Sequence, residues 1–211
     1  MILEMNPDYP QPRKVDRVID TLSRGGLIAY PTDSVYGIGC DVFNKQAVER
    51  LSRLVAELKG APEHAPLAFI CRDLSNIAEY ATISDYAYRT MRRLLPGAYT
   101  FILEASRQVP KVMRKKRKTV GIRVPDAQIP LEIVSRLGNP ITTTSAQLST
   151  GELIADPWTL ESEYGHMIDL VIDGGYLFPE PTTIIDFTSG LPHLIREGKG
   201  PIDDIEFFEP L

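Results

Sequence analysis

The chain has 211 residues, about one and a half times a ~150-residue domain, so a single unit is expected over residues 1–211, with its core at about 13–198. With 43% apolar, 24% charged and 8% aromatic residues, the composition excludes a disordered, collagen-like or coiled-coil chain. The net charge of −5 argues against a protein that coats nucleic acid over its whole surface.

Apolar spacing at Val15, Val18, Ile19 and Leu22 predicts a first helix, introduced by Pro10 and Pro12 and stopped by Gly25-Gly26. Leu27 to Tyr30 reads as a short strand that Pro31 and Thr32 break into a loop. Asn44 is placed to cap a second helix with the buried stripe Val48, Leu51, Leu54, Val55 and Leu58. Leu67 to Cys71 reads as a strand, and Ser84 as the cap of a helix that ends at Pro96-Gly97 and feeds a Tyr99 to Leu103 strand. Val120 to Val124 is strand-like, Pro130 to Leu137 helical with Gly138 after it, and Ile141 to Thr144 a strand. Asp156-Pro157 opens a last helix, and three closely spaced strands follow at 170–173, 183–187 and 193–195. Helices alternating with strands over the first two thirds predict one α/β domain, a mixed sheet with helices packed on it. Gly60 to Pro66 (GAPEHAP) is the one candidate mobile loop.

GxGxxG after a strand, GxxxxGK[ST], HExxH and GxSxG are all absent, and Gly198-Lys199-Gly200 lacks the Ser or Thr of a phosphate-binding loop. His64, His166 and His193 have no ligand-like spacing, so no protein-built metal site is expected. Cys40 and Cys71 read as small buried hydrophobes. No window reaches the roughly 18 apolar residues of a membrane span, and the opening MILEMNPDYPQP is no secretory signal, so a cytoplasmic protein is expected.

Candidate chemistry lies in hydroxyl-rich loops at strand ends, where open α/β sheets hold ligands. The loop PTDSVYGIGCD carries Thr32, Asp33, Ser34 and Tyr36, whose hydroxyls either meet a ligand or satisfy the turn's own backbone. TTTSAQLSTG, residues 142–151, ends a strand in consecutive hydroxyls suited to phosphate oxygens, although Thr is also a good strand residue and Ser a good cap. Three cations can face such a crevice: Lys59, Arg123 and Arg196. For Arg123, inside a buried-looking strand, a ligand is favoured over an internal salt bridge, whereas Lys59 equally suits a helix C-terminus. Lys111, Arg114, Lys115, Lys116, Arg117 and Lys118 form a basic run; without them 17 basic residues face 28 acidic ones, a charge of −11. That run is either an RNA-backbone contact or a solvated lysine-rich turn.

In order, PTDSVYGIGCD, LKGAPEHAPLAF, PGAYTFIL, KTVGIRVPD, TTTSAQLS, PTTIIDF and LIREG resemble the YrdC/YciO family from Leu27 to Gly198. KRKTVGIRVP and DGGYLFPEPTTIIDF are more similar to its YciO branch. The resemblance implies a single twisted mixed-sheet α/β domain of the YrdC-like, double-stranded-RNA-binding type. It implies synthesis of L-threonylcarbamoyladenylate and pyrophosphate from L-threonine, bicarbonate and ATP with Mg²⁺, feeding tRNA modification.

Carried over by position, Thr32, Arg123, Thr143 and Thr182 match residues that hold threonine, and Lys59, Thr119, Ser145 and Arg196 match residues that contact ATP or AMP. Lys59, Arg123 and Ser145 are the implied catalytic groups. Against the family's K-x-R-P, this chain reads Lys59-Gly60-Ala61-Pro62, with Ala65 later in the loop; S-A-N has become Ser145-Ala146-Gln147, and an apolar residue near Ile70 replaces a histidine. One missing charge-assisted transition-state contact costs about 2 to 4 kcal/mol, or 30-fold to 1,000-fold in rate. The alternative is therefore a YciO-type protein that binds double-stranded RNA or tRNA with weak or no synthase activity.

Overall fold

The computed structural model describes residues 1–59, 67–114, 118–203 and 205–207. Its strands are β1 (Ile2–Glu4), β2 (Ile28–Tyr30), β3 (Gly37–Asp41), β4 (Ala68–Ile70), β5 (Ala81–Thr82), β6 (Tyr99–Ala105), β7 (Thr119–Arg123), β8 (Ile141–Ser145), β9 (Leu170–Asp173), β10 (Thr183–Asp186) and β11 (His193–Arg196). Its helices are α1 (Pro12–Ser23), α2 (Lys45–Lys59), α3 (Leu74–Tyr80), α4 (Asp85–Leu94), α5 (Lys111–Arg114), α6 (Gln128–Leu137) and α7 (Pro157–Tyr164).

The strands form one sheet in the order β1-β9-β2-β3-β8-β4-β7-β6-β10-β11, with β5 on β6. Pairing is mixed: β2–β9, β4–β7 and β6–β10 are parallel, whereas β2–β3, β3–β8, β4–β8 and β6–β7 are antiparallel. Alternation along each strand sends successive side chains to opposite faces. On one face Phe69, Phe101, Leu103, Val120, Ile122 and Ile185 pack under α3 and α4, through Ile77, Tyr80, Ala87 and Met91. Ala29, Ile38 and Cys40 join Val48, Leu51 and Leu54 of α2 and Leu160 of α7. On the opposite face α1 and α6 cover only one end, where Val15, Val18, Leu22, Ile129 and Ile133 meet Ile28, Ile70 and Ile141. The site lies at the other end of that face, which α1 and α6 leave open.

Three predicted caps are made. Asn44 Oδ1 accepts from Ala47 N at 3.1 Å, Ser84 Oγ from Ala87 N at 3.2 Å, and Asp156 Oδ1 from Thr159 N at 2.9 Å. Gly138 closes α6 at φ 74°, as a left-handed C-terminal residue should. The structure adds β1, β3, α3, β5 and α5 to the predicted elements. The most consequential is β3, because GIGCD reads as a glycine turn and is a buried strand. Gly39 is a steric necessity, because a Cβ there would meet Thr142 O at 2.7 Å; a Cβ at Gly37 would press on the Tyr30 ring at 3.1 Å.

Candidate functional site

The uncovered sheet face holds a hollow of about 440 Å³. Its floor follows from register. Thr143 lies beside Ala68, Ala68 beside Gly121, and Gly121 beside Ile102, so two of the smallest side chains sit mid-row between larger neighbours. A Cβ at Gly121 would meet nothing closer than 3.5 Å, so the absent side chain leaves space rather than relieving a clash. Val48 of α2 and Val112 and Met113 of α5 add an apolar wall, with Ser52 of α2 beside them. The polar lining consists of hydroxyls and the guanidiniums of Arg123 and Arg196, with no carboxylate among the described lining residues. The ligand space therefore spreads over mid-strand positions such as Gly121 and Thr143, beyond the strand-end crevice that the sequence predicts.

Arg123, 6% exposed, is held firmly. Its Nη2 donates to Asp33 Oδ1 and to Ser34 Oγ, both at 2.9 Å, while Asp33 Oδ2 accepts from Asp126 N at 2.9 Å. The internal salt bridge that the sequence reading ranked second to a ligand is thus present, and Arg123 lines the hollow as well. Burial is the largest influence on this guanidinium and lowers its pKa from the ordinary arginine value; the Asp33 charge opposes that shift. Its Nε is buried without a hydrogen-bond partner among the described residues. Lys199 Nζ donates to the Asp33 carbonyl, which ties the chain's last glycine-flanked lysine to the same loop.

Two of the predicted threonine-holding hydroxyls are committed to the fold. Thr32 Oγ1 donates to Val35 O at 2.6 Å and accepts from Ser34 N and Val35 N, so it satisfies its own turn. Thr143 Oγ1 accepts from Tyr30 OH at 2.8 Å and donates to Ile38 O at 3.1 Å. Burial raises the Tyr30 hydroxyl to about 12, and the bond to Thr143 opposes the rise. Thr182 Oγ1 lies 2.9 Å from Thr100 Oγ1, and Thr182 O accepts from Arg196 Nη2 at 2.8 Å.

The structure brings Thr32, Thr119, Arg123, Thr143, Ser145, Thr182 and Arg196 around one hollow. Lys59 ends α2, and its side chain lies outside the described residues, as do Gly60 to Pro66 with Ala61, His64 and Ala65. Of the basic run, Lys111 and Lys118 are exposed; the Arg114 side chain and Lys115, Lys116 and Arg117 lie outside the described residues. Cys40 and Cys71 are buried, and burial drives both thiols well above their ordinary pKa, which leaves them unreactive. Sequence reasoning passed over Gly121, Tyr30 and Lys199; for Gly121 the signal existed, a lone glycine inside a strand, which marks close approach of a ligand or backbone.

The Sua5/YciO/YrdC family model, described as telomere recombination, matches residues 20–198. The chain belongs to the Sua5/YciO/YrdC family. YciO of Escherichia coli is 38% identical over 200 residues, covering 94% of this chain and 95% of that protein. Threonylcarbamoyl-AMP synthase of Pyrococcus abyssi is 30% identical over 187 residues, covering 88% of this chain but 54% of the synthase. The crystal structure of E. coli YciO superposes with a TM-score of 0.88 at 36% identity, covering 96% of this chain and 98% of YciO. P. abyssi Sua5 complexed with L-threonine superposes with a TM-score of 0.83 at 28% identity, covering 94% of this chain and 57% of Sua5. The Sua5/YciO/YrdC member described here thus has the mixed-sheet fold of both relatives, in a family of threonylcarbamoyl-AMP synthase-like proteins, and greater identity to YciO. No described helix is long and apolar enough to cross a membrane.

Proposed function

We propose that the hollow binds L-threonine and an adenine nucleotide and condenses threonine, bicarbonate and ATP to threonylcarbamoyl-AMP, pyrophosphate and water. One observation carries this reading: seven residues scattered from Thr32 to Arg196 line a single hollow with two guanidiniums and no described carboxylate. In the reaction the carboxylate of N-carboxythreonine attacks the α-phosphorus and pyrophosphate leaves, so the protein supplies position and positive charge rather than a nucleophile. Arg123, fixed by Asp33 and Ser34, would neutralise charge on the carboxylate or the α-phosphate. Arg196 would hold the leaving phosphates, and Thr119 and Ser145 would donate to nucleotide oxygens; Lys59 takes its catalytic role from its motif position. With Thr32 and Thr143 hydroxyls engaged by the fold, their part in holding threonine is the shape of the wall.

The described lining does not fit a resident Mg²⁺, having no carboxylate, and no described group of His, Cys, Asp and Glu could hold a metal. Any Mg²⁺ would arrive on the phosphates of ATP.

The test is pyrophosphate release from threonine, bicarbonate and ATP. Release that depends on threonine and falls about 100-fold to 1,000-fold in Arg123→Ala supports the reading; release without threonine dependence overturns it.

A second reading, RNA binding with weak or no synthase activity, is favoured by the charge asymmetry. Lys111 and Lys118, the two ends of the basic run, are exposed, and their neighbours Val112 and Thr119 line the hollow. Double-stranded RNA or tRNA held there would lie at the rim. Affinity should fall steeply with salt, and replacing residues 114–118 with Ala should flatten the log–log slope. An unchanged slope rejects the patch.

A further inference from the structure

The segment between β9 and β10, Gly174 to Thr182, carries two aromatic rings that the proposed reaction does not use. Tyr176 is 63% and Phe178 85% exposed, and their centroids are 5.5 Å apart at an interplanar angle of 82°. Leaving two large rings in water is costly, and exposed aromatic patches mark binding surfaces. Their backbone is firmly tied. Gly175 N donates to Asp173 Oδ1 at 2.9 Å, Tyr36 OH to Gly175 O at 2.7 Å, Leu177 N to Ala155 O at 2.8 Å, and Glu180 N to Ser34 O at 3.3 Å. The last contact is decisive for location, because the Ser34 hydroxyl accepts from Arg123. The segment then runs into Thr182, whose carbonyl accepts from Arg196, and Lys199 reaches the Asp33 carbonyl on the same loop.

We infer that Tyr176 and Phe178 form a stacking platform for an unpaired RNA base, with exposed Arg196, bonded to the Thr182 carbonyl, and exposed Lys199, bonded to the Asp33 carbonyl, to meet the backbone phosphates. The proposal rests on the RNA-binding reading above and narrows its partner from paired RNA to RNA with a single-stranded loop or end. The edge-to-face pair lets one ring brace the other while an outer ring face stays open for stacking, which every base supports, and cations combined with aromatic rings are the usual composition of a single-strand track. Neither ring lines the hollow, so a nucleotide seated there would not need them, whereas a polymer passing its rim would meet them. Glu180, exposed in the same segment, and Asp173 at its start oppose phosphate approach, and phosphates would therefore lie on the Arg196 and Lys199 side.

The experiment uses the full chain with three probes: an RNA hairpin with an unpaired loop, the same stem as a blunt duplex, and ATP. The wild type should prefer the looped hairpin. The Tyr176→Ala/Phe178→Ala variant should lose about 5-fold to 150-fold in hairpin affinity per base unstacked, with duplex and ATP affinities and the salt slope unchanged. Tyr176→Phe should retain affinity, and a 2-aminopurine in the loop should be quenched by the wild type but not by the double variant. Equal wild-type affinity for hairpin and duplex, or an unaffected double variant, overturns the platform and leaves the RNA reading standing. No RNA binding at all overturns both. Loss of ATP affinity in the double variant assigns the rings to the mononucleotide and overturns the proposal. So does a concentration-dependent dimer that the double variant abolishes without affecting hairpin affinity.

Discussion

Arg123 serves the fold and the site with one guanidinium. Asp33 and Arg123 side chains are 10% and 8% exposed, so removing the carboxylate leaves an uncompensated buried charge. Asp33→Asn should therefore lower unfolding free energy by about 3 to 5 kcal/mol, read from urea denaturation. Loss of less than 1 kcal/mol would mean that the pair is solvated or that Arg123 finds another partner. Tyr30 provides a pH test. Its hydroxyl is raised to about 12 in the folded chain against an ordinary value of 10.0, so folding favours the neutral phenol. That stabilisation is complete below pH 10 and is lost as pH rises through 12. Relative to Tyr30→Phe, which has nothing to titrate, the wild type should lose about 2 kcal/mol between pH 9 and 12. Parallel stability curves for the two proteins would contradict the burial of the hydroxyl.

At the scale of strands and helices, β7 makes the clearest prediction. Valine suits a strand and its Cβ fits at position 121, but its methyls would enter the hollow. Gly121→Val should keep the melting temperature within a few degrees and weaken nucleotide or threonine binding more than 10-fold by calorimetry. A large loss of stability would show that the glycine serves packing. At α7, Asp156→Ala should cost about 1 kcal/mol, because the carboxylate accepts from both Trp158 N and Thr159 N. α2 was legible in the sequence because its apolar stripe and the Asn44 cap state the same boundary, and α4 and α7 because Ser84 and Asp156-Pro157 mark their starts. α3 is a 7-residue helix with little room for periodicity, and α5 is a 4-residue turn within a charge run. β3 was hidden because glycine is a turn residue by propensity and a clearance residue in this sheet. The site residues were legible through motif resemblance and their hydroxyl and cationic chemistry. Their shared hollow was not, because it depends on cross-strand register between segments far apart in the chain.

Across the whole molecule, the proposed RNA reading rests on charge asymmetry, one basic run against −11 elsewhere. The salt dependence of RNA affinity measured with and without the Ala replacements at 114–118 checks that reading, and each lost phosphate contact should reduce the slope by about 0.7 to 0.9. The sheet pairs Ile28 with Leu170 and Thr100 with Ile184, and Arg196 of β11 completes the cationic lining. Such pairings between distant segments make for slow closure. During translation, then, β2 can pair with β3 early but lacks its second neighbour until β9 has left the ribosome, and the hollow cannot be complete until β10 and β11 follow. The nascent polypeptide meanwhile exposes half-built apolar surfaces, so its maturation should depend on chaperones at times when the finished protein does not.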